Sequence, residues 1–264
     1  MATKKAVPSV KKSTAKKPTS KKTSTVKAVA SSSSMTFVSP LKGMPFAVAL
    51  IAEFIGTFLF AASIIAGQGQ PIIILFALAG IVLLVGNLSG AYLNPALTIG
   101  GWITRKISGL KAVGYIVAQF LGALAALGLL NAFIGGASSP ASGYAPAALY
   151  QAAALPAGKE WYIFFAELIG TAILGFVIAN AVTNGKRRIV SALTAGFGIF
   201  VALLFAASAA AYVSGTAILN PAVALSLQAL KWEVWPLAVY VLAPIVGAVI
   251  GFILHELLHT DSEK

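Results

Sequence analysis

Two triplets, Asn94-Pro95-Ala96 and Asn220-Pro221-Ala222, carry the first chemical signal in this chain. Asn is a favoured helix N-cap and Pro is favoured at the first helical position, so each triplet reads as a helix start with unpaired backbone N–H groups pointing ahead of it. Two acids, Glu53 and Glu167, stand inside long apolar runs. A carboxylate there must be paired or protonated, and it is a functional candidate by default. A third constellation, His255-Glu256-Leu257-Leu258-His259, has the spacing of a zinc-protease helix, with two His on one face and a Glu as base. Those two His are the only ones in the chain, and Asp261 and Glu263 are the acids that follow them. The same residues also read as polar capping where a helix leaves a membrane, with His suited to the C-terminal dipole.

The elements that position these groups are membrane spans. Of 264 residues 58% are hydrophobic and 10% charged, with a mean hydropathy of +0.89. Six apolar runs of spanning length are expected near 46–67, 71–88, 111–133, 161–182, 189–211 and 234–254. The stretches Asn94 to Ile103 and Asn220 to Leu230 are too short to cross. With no Cys, disulfides, thiolate metal sites and cysteine nucleophiles are excluded. Residues 1 to 45 hold ten Lys and no acid, and from Met1 to about Ser39 they are Lys, Ser, Thr, Ala and Pro. That composition predicts a disordered tail that can touch anionic lipid headgroups, at about 1 kcal/mol per Lys near the surface. It has neither an apolar signal-peptide core nor the interleaved aromatics of a nucleic-acid binder, so no nucleic acid is expected as a partner.

The spans repeat. Ala52-Glu53-Phe54-Ile55-Gly56-Thr57 recurs as Ala166-Glu167-Leu168-Ile169-Gly170-Thr171, and Leu93-Asn94-Pro95-Ala96 recurs as Leu219-Asn220-Pro221-Ala222. Each unit holds three spans, so the second enters the membrane in the opposite sense and the two half-helices dip in from opposite faces. The expected organisation is a tail over 1–45, a channel domain over 46–256 with repeats near 46–134 and 160–256, and a short C-terminal tail over 257–264. Placing the N-terminus inside puts seventeen of the nineteen Lys and Arg on the cytoplasmic side and leaves only Lys159 and Lys231 opposite. Both termini are therefore expected in the cytoplasm.

Irregular backbone at membrane depth is tolerated only where protein buries it or a water-filled cavity meets it. Two Asn amides and two positive half-helix ends around one cavity offer donors to a passing oxygen and oppose cations, which is the chemistry of a pore for neutral polar molecules. The chain resembles the aquaporins, the major intrinsic protein family, over about residues 46 to 256. The resemblance rests on Ser89-Gly90-Ala91-Tyr92-Leu93-Asn94-Pro95-Ala96-Leu97-Thr98, the second Asn-Pro-Ala, the Ala-Glu-x-x-Gly-Thr openings, and the segments Ala118 to Ala123 and Ala243 to Ala248. It implies an all-α membrane fold of six spanning and two half-membrane helices, a cofactor-free and metal-free pore in each subunit of a homotetramer, and no catalytic residues. It also implies that Glu53 and Glu167 accept hydrogen bonds from the loops carrying the half-helices. In most water-selective members Arg follows the second Asn-Pro-Ala, whereas here Val223 does, similar to some plant vacuolar-type members. The other filter positions implied by counting from the two Asn are Ile74, Ser208 and Ala217, with Ala209 and Thr216 as alternatives. Such a filter has no fixed charge, so water together with ammonia, urea, glycerol or hydrogen peroxide is the expected permeant class, and the cell membrane the expected site.

Three rival functions fit the residues less well. A non-conducting adhesion or scaffold role would need a docking surface, and the Gly135 to Lys159 loop looks like a connector instead. A coupled transporter would want ionisable residues in the half-helix segments, which have none. A membrane protease would act through His255, Glu256 and His259. Because the chain lacks Cys, mercurial reagents should leave solute flux through reconstituted protein unchanged, and a block reversed by a thiol reductant would contradict this expectation.

Overall fold

In the computed structural model the described residues are 45–137, 148–183 and 187–260, together with Met1 and Thr3. The chain divides into two units, Met1–Val38 and Ser39–Lys264. The basic tail lies almost wholly outside the described residues, as do Lys186, the loop tip over 138–147 and the last four residues. The second unit is built of helices. They are α1 Pro45–Ala66, α2 Pro71–Ser89, α3 Pro95–Ile103, α4 Gly109–Ala137, α5 Glu160–Thr183, α6 Arg188–Ala211, α7 Pro221–Ser226, α8 Val234–Leu237 and α9 Ala243–Thr260. A π-helical turn, Ala238–Leu242, joins α8 to α9 into one span.

Among the described residues, six helices are long and apolar enough to cross a membrane. Their outward faces are also apolar, with Phe76, Leu84, Leu110, Phe133, Phe165 and Ile189 exposed. A water-soluble body would bury such side chains, whereas a lipid-facing one presents them. Half-helix α3 has the length expected from sequence, but α7 is one and a half turns, shorter than the stretch to Leu230. Both half-helices end the same way. Arg105 and Gln228 take φ of 61° and 58°, and Lys106 and Ala229 N–H groups reach back to the Gly101 and Ala224 carbonyls. At the other end of the chain α9 continues through Thr260, past residue 256, because Leu257 and Leu258 extend its apolar pattern.

The repeats pack alike. An alanine Cβ at Gly122 of α4 would stand 2.4 Å from the Phe54 carbonyl oxygen of α1, and one at Gly247 of α9 2.2 Å from the Leu168 carbonyl oxygen of α5. Helix backbones therefore touch at these glycines, as in close crossings in lipid. Gly251 meets the Ala172 carbonyl oxygen at 2.2 Å in the same way, so the Gly247 and Gly251 pair packs inside the subunit. The two repeats diverge at Gln119 and its counterpart Pro244. Proline has no N–H for the Tyr240 carbonyl to meet, and the helix widens into the π turn that ends two residues before it.

The glycine of each Ala-Glu-x-x-Gly-Thr motif has a distinct duty. A Cβ at Gly56 would stand 2.4 Å from Leu93 Cδ2, and one at Gly170 2.8 Å from Leu219 Cδ2. These glycines make room for the leucines that precede the two asparagines. Gly56→Ala should therefore push Leu93 off its seat and destabilise the protein by about 1–3 kcal/mol, the usual cost of overpacking. Thermal unfolding in detergent measures it, with Gly80→Ala, whose Cβ would meet nothing within 4 Å, as the control that should hold or raise the melting temperature.

Candidate functional site

Residues 91–93 and their counterparts 217–219 run without helical hydrogen bonds, largely in the interior of the helical unit. Each backbone N–H there needs a partner, since a buried orphan costs about as much as a lost hydrogen bond. Glu53 of α1 supplies two. Its Oε1 accepts from the Tyr92 N–H at 3.0 Å and the Ser89 hydroxyl at 2.6 Å, and its Oε2 accepts from the Leu93 N–H and the Gln119 amide, both at 2.7 Å. The second Gln119 N–H donates to Thr98 Oγ1 at 2.9 Å, so α1, α3 and α4 share one web. Glu167 of α5 serves the other loop, accepting from the Ile218 N–H and, at 2.9 Å, from the Leu219 N–H. Both carboxylates are fully buried. Tyr115 and Tyr240 complete the symmetry, donating to the Ser89 and Thr216 carbonyls at 2.8 Å and 3.1 Å.

The leucine before each asparagine is bent by this anchoring. Leu93 and Leu219 take φ of 52° and 61°, a left-handed conformation that side chains other than glycine seldom adopt. The bend turns each leucine carbonyl toward the opposite repeat. Asn94 Nδ2 donates to the Leu219 carbonyl at 2.8 Å, and Asn220 Nδ2 donates to the Leu93 carbonyl at 2.9 Å. At the same time Asn94 Oδ1 accepts from the Ala96 N–H at 2.9 Å, and Asn220 Oδ1 accepts from the Ala222 N–H at 3.0 Å. Each asparagine thus caps its own half-helix and clasps the other repeat, with Pro95 and Pro221 at the first helical positions. A carboxamide has two N–H donors, so one on each asparagine remains for a passing oxygen.

Two cavities lie in series along α2 and α6. The first, with about 140 Å³ of space for water, touches Pro71 and Ile74 of α2, Ile199, Leu203 and Ala207 of α6, and Thr216, Ala217 and Val223 of the second repeat. The second, about 100 Å³, touches Val82, Gly86 and Asn87 of α2, Ser191 and Ala195 of α6, and Gly90 and Ala91. Ile74 and Val82 are eight residues apart, so about 12 Å of helix separates the two lining groups. From each cavity the loop runs inward to its asparagine. Each cavity thus meets one of the two loops that lead to the clasped asparagines.

Of the four filter positions read from sequence, Ile74, Ala217 and Val223 share the first cavity, as does Thr216. Ser208 is not with them. It is exposed on the outer side of α6, and Ala207 lines the cavity in its place, one turn on from Leu203 and two from Ile199. Counting back from Asn220 crosses the non-helical segment from Val213 to Leu219, and one residue there turns a helix position by about 100°. The four-residue spacing from Ile199 to Leu203 on α6 was the signal that locates Ala207. Ser89 and Thr98 were likewise legible only as polar residues awaiting a partner.

The His255 and Glu256 motif has another arrangement. The His255 and His259 rings stack at 3.9 Å between centroids, His255 is buried against Phe176, and Glu256 pairs with Lys106 at 2.7 Å. No group of three or more His, Cys, Asp or Glu able to hold a metal occurs among the described residues. The ion pair ties the end of α9 to the turn after α3.

Residues 40–255 match the model of the family described as major intrinsic protein. The chain belongs to the major intrinsic protein family. Among its relatives in that family, Nodulin-26 of Glycine max is 32% identical, over 84% of this chain and 82% of that protein. Aquaporin PIP2-7 of Arabidopsis thaliana is 32% identical over 69% of each, and Aquaporin AqpM of Methanothermobacter marburgensis is 30% identical over 70% of this chain and 74% of its own. In fold the chain is similar to the aquaglyceroporin from Plasmodium falciparum, with a TM-score of 0.59 and 22% identity over 82% of this chain and 98% of that one. As a major intrinsic protein with six spanning helices, it is an integral, multi-pass membrane protein.

The carboxylate anchors yield a direct test. Glu167→Gln keeps the shape but turns an N–H donor toward the Ile218 or Leu219 N–H, leaving a buried donor unpaired at a cost of about 1–3 kcal/mol. The variant should melt at lower temperature in detergent and move water more slowly in vesicles, while Glu160→Gln, at the first turn of α5, changes neither.

Proposed function

We propose that this protein is a passive channel for water and small uncharged solutes, with the clasped Asn94 and Asn220 as its midpoint. The observation that carries the reading is the crossed pair of amide bonds to Leu93 and Leu219, with a cavity against each of the two loops that make it. A water molecule passing the pair exchanges its neighbours for fixed N–H donors. A hydrated proton or a metal cation meets donors and the positive ends of two half-helices, and finds no carboxylate to replace its shell. Glu53 and Glu167 have their oxygens turned to the loops and serve as scaffold. Pro95, Ala96, Pro221 and Ala222 are buried behind the asparagines and fix the direction of the half-helices.

The constriction is assigned to Ile74, Ala207, Ala217 and Val223. It bears no charge, so exclusion of ions rests on the midpoint and on the cost of stripping water from a charge in an apolar passage. Neutral solutes of the size of glycerol, urea, ammonia or hydrogen peroxide belong to the same permeant class. The names of relatives support this reading: several are aquaporins, and the structural neighbour is an aquaglyceroporin. Both termini are placed in the cytoplasm, in the cell membrane, on the asymmetry of Lys and Arg, and the assembly is taken as a homotetramer on the family resemblance.

Stopped-flow shrinkage of vesicles carrying the full chain tests the channel, with sucrose, glycerol and urea as osmolytes. Fast shrinkage in sucrose with a low activation energy is the expected result. Val223→Arg should keep water flux and reduce glycerol and urea flux about tenfold, the effect of about 1.4 kcal/mol at the barrier. Equal glycerol and urea flux in the two proteins would remove Val223 from the constriction.

A further inference from the structure

The side chains around the first cavity are mostly apolar, and backbone polar groups face it between them. Among the residues lining it, Tyr150 and Thr216 are those with polar side chains. Tyr150 is on the loop between α4 and α5, the segment that composition marks as a connector. Two hydrogen bonds tie this loop to the second repeat: the Ala152 N–H donates to the Leu227 carbonyl at 3.0 Å and the Ala153 N–H donates to the Thr216 side-chain Oγ1 at 2.9 Å. The Tyr150 ring lies over Gly69 in the turn between α1 and α2, where a Cβ would stand 2.4 Å from the tyrosine Oη. Gly69 has φ of +68°, a conformation that suits glycine. The loop is thus fastened to one repeat and its aromatic ring rests on the other.

Within the described residues the Tyr150 hydroxyl makes no hydrogen bond, and the residue lines the cavity. Burial pushes its phenol up from the usual tyrosine range, so at neutral pH the group stays protonated and uncharged. Thr216 Oγ1 accepts from Ala153 and still has its own proton to give. Both residues line the cavity, Thr216 directly before Ala217 in the chain and Tyr150 over the turn at Gly69 between α1 and α2.

We propose that Tyr150 is a specificity-determining residue at the outer mouth, its ring narrowing the entrance and its hydroxyl, with Thr216, recognising small polyols. The inference rests on the reading of Ile74, Ala217 and Val223 as the constriction. A polyol entering an apolar passage loses water from several hydroxyls at once, and each lost bond raises the barrier. A neutral hydroxyl pair at the threshold replaces part of that shell before the apolar passage begins. Water needs such help less, because it is small enough to keep neighbours in file.

Tyr150→Phe, Tyr150→Ala and Gly69→Ala in vesicles carrying the full chain test the proposal, with water, glycerol and the four-carbon polyol erythritol as probes. Tyr150→Phe keeps the ring, so it should leave water flux near wild type and lower the glycerol-to-water ratio by about fivefold, the size of one neutral hydrogen bond. Tyr150→Ala should raise erythritol flux relative to water. Gly69→Ala should displace the ring and shift the ratios in the same direction, and the double variant should match Tyr150→Ala alone, as coupled neighbours do. If wild type conducts water and all three variants keep its ratios, Tyr150 is not at the mouth and the proposal is overturned. If wild-type vesicles are no faster than empty ones, the channel reading itself fails, and this inference falls with it.

Discussion

A chain that leaves the helix inside a membrane must find partners for its amides, because lipid offers none. In this protein two buried carboxylates do so, and the rest of the architecture follows from their placement. Glu53 and Glu167 collect the N–H groups of the two re-entrant loops, and that pull bends Leu93 and Leu219 into a left-handed conformation. The bend points the leucine carbonyls across the pseudo-symmetry axis, where the asparagine of the other repeat takes them. Without the carboxylates the leucines would relax toward ordinary backbone, and the asparagines would lose their partners.

The two halves are not equally anchored. Glu53 receives four donors, two of them from side chains, whereas two backbone bonds to Glu167 are described. The first half adds Gln119 and Ser89, and at matched places the second has Pro244 and Gly215. Pro244 removes an amide from its helix, and Tyr240 stands within the π turn before it, its hydroxyl donating to the Thr216 carbonyl. The second half thus leans on backbone shape where the first leans on a side-chain web. That leaves Thr216 Oγ1 for Ala153, so the looser half is also the one that holds the outer loop.

Much of this was legible in the residues. Repetition of Ala-Glu-x-x-Gly-Thr and Leu-Asn-Pro-Ala named both anchors, both half-helices and the inverted order of spans, because hydrophobic length and helix-start chemistry act locally. What lay outside was rotational phase and backbone conformation. Ser208 and Ala207 differ by one position, and no local rule carries a helix phase through the segment from Val213 to Leu219. The left-handed leucines were also silent, since leucine seldom adopts that state. Their only trace was the paired glycines Gly56 and Gly170, whose role depends on a contact far away in sequence. Tyr150 was hidden for a similar reason: its loop reads as Ala, Ser, Pro and Gly, and only the tertiary fold brings it to the cavity.

The crossed asparagine clasp bears on how the protein is made. Asn94 completes its bonds with Leu219, and Leu93 receives Asn220, so neither repeat can satisfy its own midpoint. During synthesis the first half-helix leaves the ribosome with an amide and a carbonyl lacking partners until another 126 residues are added. At about 5–20 residues per second that wait is roughly 6–25 s. Water or the insertion machinery must shelter those groups meanwhile. The first three spans are therefore an intermediate held open for the rest of the chain, and the permeation path comes into being in one late step, when the second loop arrives and both clasps close together.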